Sequence, residues 1–167
     1  SSYAQAAAFA MGRAMDDVII AAATGTASTG ETGSGSESAQ TAIAASVGTG
    51  TGLNITKLRT AKQLLDLASV DPSIPRHIIC GPEQITNLLG TTEVTSSDFN
   101  TIKALVHGEV DSFLGFKFTT SNRLAKSGND RTCIAYAQDG ITLGIGKDIS
   151  ARIDERADKS YATQVYY

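Results

Sequence analysis

The chain alternates between stretches with a helical period and stretches with a strand period. From residue 3 to 23, Ala8, Met11, Met15, Val18 and Ala22 recur at three- and four-residue steps. That spacing places an apolar stripe along one side of an α-helix. The many alanines favour the helix and keep it slim, and Thr24-Gly25 supplies a stop signal. A second helix is expected over 53–69, with Leu58, Ala61, Leu65 and Ala68 as its stripe and Asn54 or Thr56 as its cap. Arg76–Cys80 reads as a short buried strand. Pro82 then suits the first turn of a short helix that buries Ile85, Leu88 and Leu89 and closes at Gly90. Ser96-Ser97-Asp98 caps a further helix to about Val106, with Phe99, Ile102, Leu105 and Val106 inward.

The C-terminal third changes to a period of two. Gly115–Ser121 alternates, with Phe116 and Phe118 on one face. Thr132–Ala137 and Ile141–Ile145 flank Asp139-Gly140, a strong hairpin signal. Residues 149–167 read as extended strand, bent at a charged elbow, Asp154–Lys159. Helices and strands mix without a regular βα alternation, so the expected class is α+β.

One stretch fits neither period. In residues 24–52, 19 of 29 positions are Gly, Ser or Thr, and none is Lys or Arg. Only Thr41–Val47 resembles a strand there. The composition predicts a mobile loop or loose hairpin.

Length and charge narrow the function classes. At 167 residues and 41% hydrophobic content the chain can hold a real core. No run approaches the roughly 18 apolar residues of a helical membrane span. A net charge of −3 lacks the footprint of a dedicated nucleic-acid binder. Charge is unevenly placed: residues 1–56 carry only Arg13, Asp16, Asp17, Glu31 and Glu37. The remainder is evenly balanced. The chain opens on Ser-Ser-Tyr-Ala and closes on Val-Tyr-Tyr, which reads as a piece trimmed at both ends. No secretory signal is visible.

Searches for chemistry give little. Gly146-Lys147 would end a phosphate loop only with Gly at 141 and Ser or Thr at 148, where Ile141 and Asp148 stand. Gly48–Gly52 precedes a helix and could offer N–H groups to an anion, but it lacks the dinucleotide spacing. Cys80 and Cys133 form no metal or redox motif and read as small buried hydrophobes. His77 and Cys80, three apart on a strand, leave opposite faces. His107 suits a helix C-terminus. Asn54-Ile55-Thr56 matches a glycosylation sequon, which means little without a secretory signal. No catalytic, cofactor-binding or metal-ligating set is expected. The densest charge cluster comprises Arg152, Asp154, Glu155, Arg156, Asp158 and Lys159. It reads either as a solvated turn or as intersubunit ion pairs that fix register between copies.

Four blocks resemble tailed-bacteriophage major capsid proteins of the HK97-like fold. They are Phe9–Gly25, Gly52–Lys62, Asn100–Phe118 and Asp148–Gln164. The resemblance implies an axial domain over 24–147, with its Gly/Ser/Thr-rich loop at 24–52. It implies peripheral-domain remnants at 1–23, part of the spine helix, and at 148–167. The N-terminal arm and extended loop of such proteins are absent from this sequence, as is the continuation beyond Tyr167. The function implied is a structural subunit that self-assembles into hexamers and pentamers around a genome. It would be made in the bacterial cytoplasm and carried in the virion. Its partners would be copies of itself, with scaffold, portal or decoration proteins beside them, and neither sequence-specific nucleic acid nor membrane. The alternatives are an encapsulin-like nanocompartment shell and, in a different class, a small-molecule binding domain using the glycine-rich loops.

Overall fold

A computed structural model describes residues 2–29, 37–38, 40–48, 50–90, 96–108, 111–146, 152–156 and 162–166. It is a mixed helix and sheet fold. The chain divides into two compact units: Ser1–Asp16 with Thr142–Tyr167, and Asp17–Ile141.

The larger unit is built on a four-stranded sheet. Its strands are β3 (Arg76–Cys80), β4 (Ser112–Phe113), β5 (Phe116–Thr120) and β8 (Ile134–Ala137), in the order β4-β5-β3-β8. Strand β3 runs parallel to β5 and antiparallel to β8. The parallel connection from β3 to β5 passes through α3 (Pro82–Leu89) and α4 (Ser96–His107), because parallel neighbours need a long crossover. Alternation along β3 decides the two faces. Ile78 and Cys80 join Leu58 of α2 (Ile55–Leu67), Leu88 of α3, Ile102 and Leu105 of α4, and Phe116 and Phe118 of β5 in one buried cluster. Ile79 leaves the other face. There it packs with Tyr136, Leu124, Ile134 and, from α1 (Ser2–Thr24), Ile20 and Ala23.

Helix ends follow the caps. Asn54 holds an extended backbone and its side chain accepts the Lys57 N–H at 2.9 Å. Its amide also donates to the Val47 carbonyl at 3.0 Å. This residue is buried, so the sequon at 54–56 serves as a helix cap. A Cβ on Gly48, at φ +79, would strike that same Asn54 amide, so glycine permits the loop to close on the cap. Helix α2 ends with Ser69 in the left-handed region, φ 57. The Val70 N–H reaches Leu65 and the Ser69 N–H reaches Asp66, the double closure that usually places glycine at this position. Leu114 and Gly115, both at positive φ, join β4 to β5 where Phe113 pairs with Phe116. That is the two-residue turn whose twist matches a hairpin.

Several expectations are corrected. Ile141–Ile145 is not a strand: Gln138–Gly140 forms a 3-10 turn, and residues 141–146 join no strand. The Asp139-Gly140 signal therefore makes a turn without a hairpin. Thr132 and Cys133 precede β8 instead of opening it. Thr41–Val47 is also not a strand; Ile43 packs singly on the core. Among the described residues of 24–52 the pairing is β1 (Ala27–Ser28) with β2 (Glu37–Ser38); residues 30–36, 39 and 49 of the loop expected to be mobile lie outside them. The stripe of α1 is shifted: Val18 and Ala22 are exposed, while Ile19, Ile20 and Ala23 turn inward. The last turns of α1 meet the sheet through the latter positions. Ala68 is exposed because α2 has already ended. Ser96-Ser97-Asp98 lies in the first turn of α4, not before it. Gly90 closes α3 in a right-handed conformation.

The smaller unit holds an antiparallel ribbon, β9 (Arg152–Arg156) with β10 (Ala162–Tyr166). Two short strands, β6 (Lys126–Ser127) and β7 (Asp130–Arg131), make a separate ribbon in the larger unit.

Candidate subunit-contact surface

The charge cluster maps mostly onto β9. Arg152 lies opposite Tyr166, Asp154 opposite Gln164, Glu155 opposite Thr163 and Arg156 opposite Ala162. The expected elbow at Asp154–Lys159 is thus corrected at its start: Asp154, Glu155 and Arg156 continue the strand. The ladder with β10 holds these charged residues extended through Arg156. Asp158 and Lys159 lie outside the described residues.

The larger unit ties up its own charges. Arg76, 7% exposed at the start of β3, donates to Asp66 at 2.6 Å and to the Val70 carbonyl at 3.3 Å. A buried guanidinium requires such partners, and they fix the end of α2 to the sheet. Arg76 holds the Asp66 carboxyl below the ordinary carboxylate range, with Lys62 adding to the effect. Arg123 forks onto both carboxylate oxygens of Asp17 and lowers its pKa likewise. That pair ties α1 to the segment after β5. Asp71 is lowered by the backbone N–H and side chain of Ser73. Looser surface pairs join Lys117 to Asp111 and Lys126 to Glu83; pairs so exposed contribute little.

The residues weighed for chemistry are used structurally. Cys80 is buried and its thiol is pushed up to about 12 by burial. It therefore stays protonated at neutral pH and is no nucleophile. Cys133 is raised for the same cause. Both thiols are free. His77 stacks on Tyr136 with ring centroids 5.4 Å apart, on the face away from Cys80. His107 ends α4. The Gly48–Gly52 loop turns carbonyls, not N–H groups, toward its charged neighbour: Lys57 Nζ donates to Thr51 at 2.9 Å and to Gly52 at 2.6 Å. Burial lowers the Lys57 pKa. At this helix start the Lys57 N–H is taken by the chain's own cap, Asn54.

A surface cavity of about 540 Å³ lies between the end of α2 and the Ser69–Arg76 segment, with Gly115 on its wall. Neither glycine-rich loop lines it. Among the described residues no group of three or more His, Cys, Asp or Glu is placed to hold a metal ion. No helix among them is long and apolar enough to cross a membrane.

What the described residues leave without use is apolar and exposed. Tyr3, Phe9 and Val18 of α1 stand in solvent, as do Leu143 and Ile145. Sequence reasoning missed this feature by assigning 141–145 to a hairpin. The signal available was the Gly-rich spacing of Ile141, Leu143 and Ile145, which weakens intrachain packing.

Comparison with known proteins gives one finding. No curated protein and no solved structure matches the chain. The family described as phage capsid protein matches over residues 1–167. A match over the whole chain shows that this protein belongs to the phage capsid protein family, a family of structural proteins of the virion.

Proposed function

We propose that the chain is the shell-forming subunit of an icosahedral bacteriophage capsid with an HK97-like fold. Residues 24–147 would be the axial domain that gathers around symmetry axes in hexamers and pentamers. Residues 1–23 and 148–167 would belong to the peripheral domain. The shell would enclose the genome and be built in the bacterial cytoplasm, with scaffold, portal or decoration proteins as further partners. Family membership across the whole chain carries this reading. The mixed helix and sheet architecture is compatible with it, and the exposed apolar side chains of α1 and 141–146 supply surface for copies to cover.

Within this reading the Arg152–Lys159 cluster sets register between subunits. Charge pairs at a contact rim give specificity more than affinity. Charge reversal at Arg152 and Arg156 in the full-length subunit should sharply reduce the yield of closed shells while leaving soluble subunit unchanged. Shell yields equal to wild type would remove the cluster from the contact.

A further inference from the structure

Among the described residues nothing pairs with the long edge of the four-stranded sheet, and a strand-like segment of the same chain pairs with no strand. That edge is β8. Its hydrogen-bonded partners on β3 follow from the ladder. Gln138 N–H bonds the Pro75 carbonyl at 2.9 Å, so the pairs two and four residues on, His77 with Tyr136 and Ile79 with Ile134, face each other. Cys80 carbonyl accepts from Ser121 on the β5 side, which agrees with that phase. Ala135 and Ala137 therefore direct their N–H and C=O groups away from β3. The Ala137 C=O starts the 3-10 turn Gln138–Gly140, which leaves both groups of Ala135 and the Ala137 N–H turned outward.

Native edges are usually guarded by charge, proline or a bulge. The sequence of β8, Ile-Ala-Tyr-Ala, carries none of these, whereas the opposite edge, β4, is only two residues long. A few residues later comes Ile141-Thr142-Leu143-Gly144-Ile145-Gly146, which also lacks charge and proline. It alternates apolar residues with a period of two and joins no strand. Leu143 is 42% exposed and Ile145 55%. The three-residue turn Gln138–Gly140 would allow a hairpin with β8, yet that pairing is not made.

We infer that residues 141–146 of one subunit add as a fifth strand to the β8 edge of a neighbouring copy. The inference rests on the capsid reading above, since self-assembly supplies the second copy. The two halves of the contact are different surfaces, so it is heterologous and closes into rings when the rotation permits. Main-chain bonds to Ala135 and Ala137 give the attraction, and the alternating apolar residues of the added strand give register. The absence of charge on both sides leaves nothing to repel the approach.

The test uses full-length subunits in which Cys133→Ser, with any cysteine outside residues 1–167 also replaced, leaves only the buried Cys80. One carries Ala135→Cys. Each partner carries a single cysteine in place of Thr142, Leu143, Gly144 or Ile145. The proteins are mixed, assembled and oxidised. Strand addition predicts mixed disulfides that are strong at alternate positions of 142–145 and weak between them, because cross-strand Cα atoms fall within bonding range only on a shared face. Assembled particles without mixed disulfides, or with equal yields at all four positions, overturn the strand addition and leave the capsid reading intact. Subunits that never associate overturn both. Ala135→Pro is the companion variant. It removes an N–H that β3 does not use, which an edge strand tolerates. It should abolish ring formation while the monomer melts as before. Normal rings from Ala135→Pro would contradict the inference.

Discussion

The two units differ in what they can bury. The larger one, Asp17–Ile141, closes a core around Ile55, Leu58, Cys80, Leu88, Ile102 and Phe116, and a smaller cluster behind the sheet. In the smaller one, no residue whose side chain is described is buried: residues 2–16 are exposed or intermediate, and 142–146 are exposed. Its other element is a two-stranded ribbon, and such ribbons are marginal alone in water. A unit with its own core folds on its own terms. A unit of helix and ribbon with apolar residues facing water gains stability when something covers it, and a capsid subunit meets copies of itself.

The largest effect that sharpens this contrast is truncation of an aromatic. Phe116→Ala removes a fully buried ring and should cost about 3–5 kcal/mol in thermal or denaturant unfolding. Phe9→Ala in the smaller unit should move monomer stability by no more than about 0.5 kcal/mol, as exposed substitutions do, while lowering shell yield. Equal destabilisation by both changes would break the comparison.

Next in size is the cap. Asn54→Ala loses the Lys57 N–H and frees the Val47 carbonyl, and should cost about 1–2 kcal/mol. Amide hydrogen exchange should speed up at the start of α2 and at 47–52, with the smaller unit unaffected.

Acid should weaken the larger unit through its paired carboxylates. Asp17, Asp66 and Asp71 all have lowered pKa values in the fold. An unfolded chain binds protons at these groups at higher pH than the folded chain does. The stability they contribute is therefore present above the ordinary carboxylate value of about 4. It is lost as pH falls below that value through the folded pKa values. Melting against pH should drop there, and Asp17→Asn with Asp66→Asn should flatten the slope. An unchanged slope would dismiss these pairs.

The smallest change has the opposite sign. Ser69 sits where glycine is preferred, so Ser69→Gly should relieve left-handed strain and raise stability by up to about 1 kcal/mol. A lower melting temperature would mean that the Ser69 side chain contributes more than its backbone costs.

Much of the larger unit was legible in sequence because its signals are local. Arg76–Cys80 matches its strand residue for residue, Asn54 caps α2, Pro82 opens α3, and Phe116 and Phe118 face the core. The errors arise where partners decide the outcome. Ile141–Ile145 has the period of a strand, but a strand exists only with a neighbour to bond it. Val18 and Ile19 carry similar hydrophobicity, and only the position of Leu124 and Ile134 selects which side of α1 turns in. Of the candidate surface, sequence gave the location of the charge cluster but placed a bend at Asp154, where pairing with β10 continues the strand through Arg156.

Electron microscopy of the full-length subunit purified from producing cells tests the central claim most directly. The account predicts closed icosahedral shells in which hexamers and pentamers place residues 24–147 around the symmetry axes. Subunits that remain monomers, or particles with those residues away from the axes, would contradict it.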